Sequence, residues 1–381
     1  MVWRYLTAGE SHGPAVTGFL EGMPAGLRLG PSDVDPDLAR RQVGYGRGAR
    51  MAIEKDTADF LGGVRFGRTT GAPLALLVRN RGREEFARPP KGYRPLVLPR
   101  PGHTDLAGSL KYGFGDMRDV LERASARETA IRVALGACAR KLLASFGISI
   151  HSLVERIGAV EAAVPEKVTA AAWKRAEKSP CRCPDAAAEK AMKKIIDEAT
   201  ARGDTLGGTV RVVAGGVPPG IGSHSQWDRK LDGLLSGALM SLPAVKGVEI
   251  GLGFETARRP GSEVHDPIYY DGKRPYGFYR RTNRAGGIEG GISNGEEIVC
   301  RLAMKPIPTL RSPLRTVNRK TKKPGRAAII RSDVCAVPAL GVIAEAVVAL
   351  EVAGAMREKF GGDSLKEMTA NYRSYVRTVR K

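Results

Sequence analysis

Short apolar stretches separated by glycine-rich and polar turns run through most of the chain, and their spacing predicts many short strands. Each stretch has alternating or continuous apolar positions bounded by Gly, Pro or polar residues. The predicted strands cover residues 2–8, 15–20, 60–66, 72–78, 148–157, 207–214, 243–251 and 298–304. Because glycines frame residues 67–71, the two strands on either side of this turn are expected to form a hairpin.

Longer stretches with helical periodicity predict the helices. Ser125 followed three residues later by Glu128 has the spacing of a capping box, so a helix is expected to begin at Ala126 and to run toward Gly147. Further helical or amphipathic segments are predicted at residues 107–112, 165–178, 185–201 and 227–240, and in a helix that Ser32 or Asp33 would cap.

The longest apolar stretch, residues 334–356, contains Pro338, Glu345 and Glu351. Such interruptions predict a helix buried in the protein and argue against a membrane span. No internal repeat and no linker divides the chain, and strands and helices do not alternate regularly. The sequence therefore predicts an α+β fold with mainly antiparallel sheet, in a single large domain over residues 1–381.

The charge of the chain indicates anionic partners. Lys and Arg number 61 against 40 Asp and Glu, which gives a net charge of +21. Such an excess attracts nucleic acid, membrane surfaces, or phosphorylated and carboxylated small molecules. Residues 301–332 hold basic side chains and no acidic one. Aromatic residues make up only 6% of the chain, so surfaces for stacking nucleic-acid bases are scarce.

The cysteines indicate a reducing compartment. There are five, an odd number widely scattered along the chain, and no secretory signal precedes them. We therefore expect free thiols and a cytoplasmic protein. Cys181 and Cys183 lack a second pair of ligands, so the sequence predicts no metal site.

The predicted helix after Ser125 offers a candidate anion site. Its first turn would present unpaired N–H groups and the positive end of the helix dipole. Arg123 and Arg127 flank this end and are suited to bind phosphate. An ordinary capped helix with two solvated arginines is the alternative. His103, in a Pro-Gly turn earlier in the chain, favours a site.

Three further segments are candidates for ligand contact. His12 lies in the glycine-framed turn 9–13, where a ligand would approach the backbone closely, although a histidine in a turn is often simply exposed. Residues 42–50 form a Gly/Arg loop that either wraps a phosphate or carboxylate or is flexible. Residues 283–295 contain five glycines, typical of backbone held against a ligand or another chain, or of a flexible loop. Neither a dinucleotide fingerprint nor a Walker loop occurs.

Six motifs, in order, resemble those of the chorismate synthase family. They are residues 9–13 (GESHG), 100–105 (RPGHTD), 123–130 (RASARETA), 244–250 (AVKGVEI), 285–295 (AGGIEGGISNG) and 331–333 (RSD). The resemblance runs from about residue 3 to about residue 356. Arg284 stands where some relatives have His, and Gln42 where certain relatives have Arg.

The resemblance implies a lyase that converts 5-enolpyruvylshikimate 3-phosphate into chorismate and inorganic phosphate. This 1,4-anti elimination has no net redox change, yet it requires reduced FMN, which is thought to lend an electron transiently. The family fold is a helical layer sandwiched between antiparallel sheets, and the family enzyme is a homotetramer. A small-molecule substrate is implied, with neither nucleic acid nor a membrane as partner.

The resemblance also implies roles for individual residues. His12 resembles the histidine that supports departure of the phosphate, His103 the one that protonates the N1 region of reduced FMN, and Asp333 the acid that acts with flavin N5 in removing the C6 proton. Arg41 and Arg47 resemble arginines that bind the phosphate of substrate or NADP. The implied FMN contacts are Arg123, Ala124, Ser125, Pro243, Ala244, Gly290, Lys305, Pro306, Ile307, Pro308, Thr309 and Arg331.

Two other functions compete with this one. The charge alone suits a basic nucleic-acid-binding protein, but no recognised binding module occurs and aromatic residues are few. Another flavin- or phosphate-dependent lyase on the same scaffold is the second alternative. Since no nicotinamide fingerprint is visible, we expect dependence on externally reduced FMN, with NADPH as the alternative reductant.

Overall fold

Helices and strands are mixed along the whole chain, and the computed structural model describes residues 2–48, 55–81, 91–330 and 332–380. In these ranges the helices are α1 (Pro31–Gln42), α2 (Asp105–Tyr112), α3 (Arg118–Arg123), α4 (Thr129–Ala144), α5 (Ala170–Lys178), α6 (Ala186–Arg202), α7 (Leu231–Met240), α8 (Gly261–Val264), α9 (Val337–Phe360) and α10 (Leu365–Val379). The strands are β1 (Arg4–Ala8), β2 (Ala15–Glu21), β3 (Ala58–Gly62), β4 (Val64–Arg65), β5 (Arg68–Thr69), β6 (Leu74–Arg79), β7 (Ser149–Ile157), β8 (Val160–Glu161), β9 (Gly208–Gly215), β10 (Val245–Ile250), β11 (Ile268–Tyr270), β12 (Phe278–Arg280), β13 (Ile288–Glu289), β14 (Ile292–Ser293), β15 (Ile298–Met304), β16 (Arg315–Val317) and β17 (Pro324–Arg326).

Two antiparallel sheets form the outer layers. The first has the order β1-β2-β6-β3, and the second β10-β15-β9-β7-β8. All pairings between the strands given above are antiparallel, including the predicted hairpin, in which Phe60 faces Leu76. The smaller β4–β5 ribbon extends that hairpin. The predicted α+β fold with mainly antiparallel sheet is confirmed.

A layer of helices fills the space between the sheets. α4 packs on β2 and β6 of the first sheet, while α9 packs on β7 and β9 of the second. Glycine allows both contacts to be close. A Cβ on Gly18 of β2 would lie 2.7 Å from Ile131 of α4, and one on Gly136 of α4 would lie 2.4 Å from Cβ of Ala346 in α9. The expected helical layer between antiparallel sheets is therefore present, held by close packing.

α9 is the central helix, as the apolar stretch 334–356 predicted. By length and composition it is apolar enough to cross a membrane, but 89% of its most apolar window is buried inside the protein. The helix begins later than the apolar stretch, at Val337, with Pro338 in its first turn, and it continues to Phe360. Pro is compatible with a first turn because its missing N–H would have no partner there.

The start of α4 differs from the prediction. Residues 126–128 form a 3₁₀ turn, and the α-helix itself begins at Thr129. Ser125 does cap this turn, since its hydroxyl accepts from the N–H of Arg127 at 3.3 Å. Glu128 does not close a capping box. Its carboxylate accepts from the hydroxyl of Thr7 and from Nε of Arg132, both at 2.8 Å, so it ties α4 to β1 instead.

Two other helix boundaries are corrected. α1 begins at Pro31 with Gly30 as its N-cap, so neither Ser32 nor Asp33 occupies the cap position. Asp33 nonetheless contributes, because its carboxylate accepts from the N–H of Gly30 at 3.0 Å. The predicted helix at 227–240 is divided at Lys230 into a 3₁₀ turn and α7. The helices predicted within 163–204 are confirmed as α5 and α6, and the single domain over 1–381 stays a prediction.

Glu351 of α9 is a half-buried carboxyl group whose charge depends on pH in the neutral range. Burial raises its pKa to about 7, against a smaller opposing effect of the Tyr5 hydroxyl, which donates to it at 3.4 Å. The folded-state pKa lies above the ordinary value of 4.5. At low pH the carboxyl of Glu351 is neutral in both the folded and the unfolded protein, so it does not oppose folding. The stability of the folded protein is lost as pH rises through the folded pKa, because the charged carboxylate must then be kept out of water.

Replacing Glu351 with Gln is therefore expected to stabilise the protein at pH 8 and to change stability little at pH 5. The glutamine carbonyl still accepts from Tyr5 but carries no charge to bury. Urea unfolding at both pH values measures the difference, with Glu21→Gln as a matched control at an exposed carboxylate paired to Arg4. An equal effect of Glu351→Gln at both pH values would contradict the prediction.

Candidate active site

His12 lies in the turn between β1 and β2, and Glu122 of α3 holds it. The Glu122 carboxylate accepts the backbone N–H of His12 at 2.8 Å and lies 2.7 Å from Nδ1 of the ring. The hydroxyl of Ser11 donates to the same carboxylate at 2.6 Å. Burial alone would raise the pKa of Glu122, but hydrogen bonds from His12 and Ser11 outweigh it and lower the pKa. An ionised carboxylate at Nδ1 fixes the orientation and tautomer of the His12 ring.

Arg123 lies beside this turn. Its guanidinium donates to the carbonyls of Thr7 and Gly9 at 2.9 and 3.1 Å, and to the Thr7 hydroxyl at 2.8 Å. The side chain is otherwise exposed. Ala124 and Ser125 follow directly, so the structure brings the predicted flavin-contacting residues 123–125 together with His12.

Arg127, by contrast, is buried in the protein. Its guanidinium binds both oxygens of Asp56 at 2.7 and 2.8 Å and Oδ1 of Asn80 at 2.6 Å. It is therefore neither a solvated arginine nor an open anion ligand, and both sequence-based interpretations of Arg127 are wrong. The physical reason is that a buried guanidinium needs a buried carboxylate, and Asp56 supplies one.

Arg41, at the end of α1, is buried beside this pair. It donates to the hydroxyl of Thr129 and the carbonyl of Ala126, both at 3.0 Å, and lies 3.4 Å from Asp56. Burial lowers its pKa to about 10, with Asp56 opposing and Arg47 and Arg127 adding to the effect. The cation at this point is therefore anchored to the start of α4, and binding of a phosphate by Arg41 stays a prediction.

His103 lies in the turn before α2, where Asp105 and Arg100 surround it. Nδ1 is 2.6 Å from Oδ1 of Asp105. Arg100 donates to both oxygens of the same carboxylate, from Nε at 2.8 Å and Nη2 at 3.0 Å. Burial alone would raise the pKa of Asp105, but the hydrogen bonds from Arg100 and His103 outweigh it and hold the pKa well below its usual range.

The segment 305–309 packs against the His103 turn. Nη1 of Arg100 donates to the hydroxyl of Thr309 at 2.9 Å, and Lys305 donates from Nζ to the carbonyl of Gly102. A Cβ on Gly102 would lie 3.4 Å from Cβ of Pro308. The segment of the predicted flavin contacts Lys305, Pro306, Ile307, Pro308 and Thr309 therefore meets the His103 turn through Lys305, Pro308 and Thr309.

Ala244 connects to the same segment. Its carbonyl accepts the N–H of Lys305 at 2.9 Å. Its φ of +67° lies in the left-handed region that alanine rarely adopts. Strain of this kind costs of the order of 1–3 kcal/mol and persists where the surroundings impose it, often at ligand sites. Pro243 and Ala244 thus lie at the border of the 305–309 segment, as the sequence predicted for flavin contacts.

Asp333 and Arg47 form a third part of the site. Nε of Arg47 lies 3.3 Å from Oδ2 of Asp333, and the N–H of Gly48 donates to Oδ1 at 2.7 Å. The hydroxyl of the neighbouring Ser332 donates to the carbonyl of Thr309 at 3.0 Å. Arg41 also interacts electrostatically with Arg47 and Asp333. Asp333 is therefore connected to Arg100 on the His103 side through Ser332 and Thr309, and it lies close enough to Arg41 to affect its pKa.

One predicted residue, Gly290, stands apart from this arrangement. Gly290 lies in the β13–β14 turn, next to Gly291, whose carbonyl accepts the N–H of Leu231 at the start of α7. Ala244 follows the other end of that helix, about 15 Å of helix away. Gly290 has open space around it. Arg331 lies outside the described residues, as does part of the predicted loop 42–50.

Gly286 and Gly287 of the 283–295 loop are packed against this chain's own backbone. A Cβ on Gly286 would lie 2.3 Å from the nitrogen of Gly251, and one on Gly287 2.4 Å from the carbonyl of Glu297. The loop is therefore fixed by close backbone contacts within the protein, which explains these two glycines without a ligand. A Cβ on Gly290, by contrast, would meet no atom within 4 Å.

The sequence-based prediction missed the carboxylates that hold the histidines. Asp105 lies two residues from His103 in the same motif, so that spacing was a usable signal. Glu122 lies 110 residues from His12, and no local pattern connects them. Asp56 likewise meets Arg127 only through the fold.

A cavity of about 330 Å³ lies on the outer face of the second sheet, but it is lined by other residues. Glu155 there pairs with Arg211 at 2.5 Å and with Arg301 at 3.2 Å. None of the predicted site residues that the structure describes lines this cavity. Its charges neutralise one another, and it adds nothing to the candidate active site.

Comparisons with known proteins agree along the whole chain. The family model described as chorismate synthase matches residues 3–356. A protein of Pelobacter propionicus named chorismate synthase is 55% identical over 389 residues, covering 99% of each chain. One of the same name from Desulforudis audaxviator is 56% identical over 384 residues, covering 99% of this chain and 98% of the relative. A solved structure titled as a crystal structure of chorismate synthase is 43% identical in sequence and has a TM-score of 0.82. The match covers 100% of this chain and 99% of the solved chain.

Proposed function

Because the chain belongs to the chorismate synthase family, we propose that it catalyses the 1,4-anti elimination of phosphate from 5-enolpyruvylshikimate 3-phosphate. Membership of the family makes the protein a lyase in chorismate formation. The observation that supports the specific reaction is a set of three local arrangements: two histidines that are each held by a carboxylate, and Asp333 facing Arg47. A substrate with one phosphate and two carboxylates suits such a lining.

The residues near His103 have the charge and the apolar surface that binding of reduced flavin mononucleotide would need. Lys305, beside the His103 turn, and Arg123, beside the His12 turn, are cations suited to its phosphate, and residues 306–308 offer apolar surface for its ring. The left-handed Ala244 is a strained position at the same border. When bound, reduced FMN supplies the electron-rich ring that the elimination requires. Arg41 and Arg47 are proposed to bind the phosphate of the substrate or of NADP.

The protein's own groups have three tasks in this proposal. His12, oriented by Glu122, holds a proton near the leaving phosphate and so stabilises its developing charge. His103, oriented by Asp105, holds a proton near the flavin site. Asp333, which accepts a hydrogen bond from the N–H of Gly48 and faces Arg47, takes part in removing the C6 proton.

The deciding assay mixes the protein with substrate and dithionite-reduced FMN without oxygen, and follows chorismate absorbance together with phosphate release. Stoichiometric formation of both products is expected. No product, with folding and flavin binding verified, would overturn the proposal and favour another flavin-dependent lyase. Repeating the assay with NADPH and oxidised FMN tests the further proposal that FMN is reduced externally, since turnover under those conditions would contradict it.

Asp333→Asn is expected to bind substrate and flavin normally but to lower turnover by about 10²- to 10⁴-fold, because the amide cannot accept a proton. Binding is measured by fluorescence titration, and turnover in the anaerobic assay with substrate carrying hydrogen or deuterium at C6. Asp59→Asn, at an exposed carboxylate paired to Arg79, is the matched control. Turnover at the parent rate would remove Asp333 from proton transfer.

Two further properties belong to the proposal. A homotetramer is supported by apolar side chains on the outer face of the first sheet, where Leu6 and Phe19 face one another and are 57% and 51% exposed. Light scattering tests it, since a tetramer has four times the chain mass of 40.8 kDa. A cytoplasmic location is supported by five free, buried cysteines.

A further inference from the structure

Asp105 is a fully buried carboxylate that touches the ring of His103. We propose that Asp105 is the positioning residue of His103: held by Arg100, it fixes the imidazole in the Nδ1–H tautomer and leaves Nε2 as the nitrogen that faces ligands. The catalytic consequence rests on the proposed function. The tautomer itself does not, because it is a property of the protein alone.

The short contact decides where the proton lies. Oδ1 of Asp105 is 2.6 Å from Nδ1, a distance at which two acceptors would repel each other, so a hydrogen must lie between them. The carboxylate is ionised, since hydrogen bonds from Arg100 and His103 hold its pKa well below the usual range despite burial. Nδ1 is therefore the donor. Nη2 of Arg100 lies 3.0 Å from both Nδ1 and Oδ1 of Asp105, and since Nδ1 carries the hydrogen of the shorter contact, Nη2 donates to the carboxylate. In the neutral ring this leaves Nε2 unprotonated, and in the charged ring Nε2 donates.

Arg100 keeps Asp105 in place. Its backbone N–H and its Nε donate to Oδ2 at 3.1 and 2.8 Å, and Nη2 donates to Oδ1 at 3.0 Å. Arg100 is itself buried and donates from Nη1 to Thr309. A carboxylate bound by a two-pronged arginine cannot rotate freely. The orientation of His103 is thus coupled to the segment 305–309, which the proposed function places against the flavin.

Asp105→Asn tests the proposal because the amide matches the carboxylate in shape but offers only one acceptor oxygen. Arg100 competes for that oxygen, so the amide N–H₂ is expected to turn toward Nδ1 and shift the ring to the Nε2–H tautomer. The protein contains only five histidines. Solid-state NMR with ring-¹⁵N histidine therefore resolves the His103 signals, assigned by difference from His103→Ala.

Activity provides a second readout through a double-mutant cycle. Asp105→Asn is expected to lower kcat by about 10²- to 10⁴-fold in the parent protein. It should change kcat by less than about threefold when His103 is already alanine, because the two residues act as one unit. Asp116→Asn is the matched control: Asp116 also organises this segment, accepting from the N–H groups of Leu96 and Arg118, but it does not touch His103.

The outcomes are distinct. A shifted tautomer together with non-additive kinetics supports the proposal. An unchanged Nδ1–H tautomer in Asp105→Asn, or kinetic losses that add in full, would overturn it. If Asp105→Asn does not fold, the parent protein decides the question, since neutral His103 in the Nε2–H form would contradict the assignment. If the parent protein forms no chorismate, the proposed function fails while the tautomer result still stands.

Discussion

Replacing His12 with alanine is expected to lower turnover by about 10²- to 10⁴-fold while leaving the fold intact. The carboxylate of Glu122 binds both the ring Nδ1 and the backbone N–H of His12, so the position of the imidazole is fixed before any ligand binds. A group fixed in this way costs little reorganisation in the transition state. The alanine variant keeps the backbone hydrogen bond to Glu122 and should therefore retain the turn.

The anaerobic chorismate assay measures this effect, with circular dichroism to verify folding. His103→Ala is expected to give a loss of the same order. The matched control is His224→Ala, an exposed histidine outside the candidate active site, which should keep the parent rate. Near-normal turnover in both His12→Ala and His103→Ala would remove these histidines from the proposed mechanism.

Glu345→Ala is expected to give the largest loss of stability, about 3–5 kcal/mol in the free energy of unfolding. Glu345 is fully buried in α9 and pairs with three arginines from separate parts of the chain. Arg40 lies 2.8 Å away, Arg140 3.2 Å and Arg182 3.1 Å. Without the carboxylate, these cations would face one another around a cavity that contains no compensating charge from α9.

Urea unfolding at pH 7 measures this loss. Glu177→Ala is the matched control, because Glu177 pairs with two of the same arginines but its side chain is 44% exposed, so its loss should be about 1 kcal/mol or less. Burial alone would raise the pKa of Glu345, but the arginines outweigh it and lower the pKa. The stability that the Glu345 carboxylate contributes to the fold is therefore present above its ordinary pKa of 4.5. This stability is lost as pH falls from 4.5 through the lowered pKa of the folded protein. Equal losses in the two variants would show that burial of the pair is unimportant.

Patterns that act over a few residues were readable from the sequence. Strand β15 was predicted with the bounds it has. The helix α9 was predicted to be buried because its apolar stretch contains Pro338, Glu345 and Glu351, and its burial in the protein confirms this. The α+β class with antiparallel sheets followed from the spacing of these elements. Six ordered motifs were sufficient to indicate the family, which the comparisons then confirmed.

Pairings between distant residues were not readable in this way. Arg127 was predicted to bind an anion because it lies at the start of a helix. In the structure it pairs instead with Asp56, which lies 71 positions earlier in the chain. Glu128 had capping-box spacing, but Thr7 and Arg132 compete successfully for its carboxylate. Each outcome depends on which charges are buried together, and burial is a property of the packed layers.

The sequence by itself determined the elements, the fold class and which histidines and acid to consider. Only the tertiary structure decided how those groups are held: Glu122 against His12, Asp105 and Arg100 against His103, and Gly48 against Asp333. The physical reason is the distance along the chain over which each effect acts. Propensity and periodicity act between neighbours along the chain, whereas the charge and orientation of a buried side chain are set by partners that only folding brings within hydrogen-bonding distance.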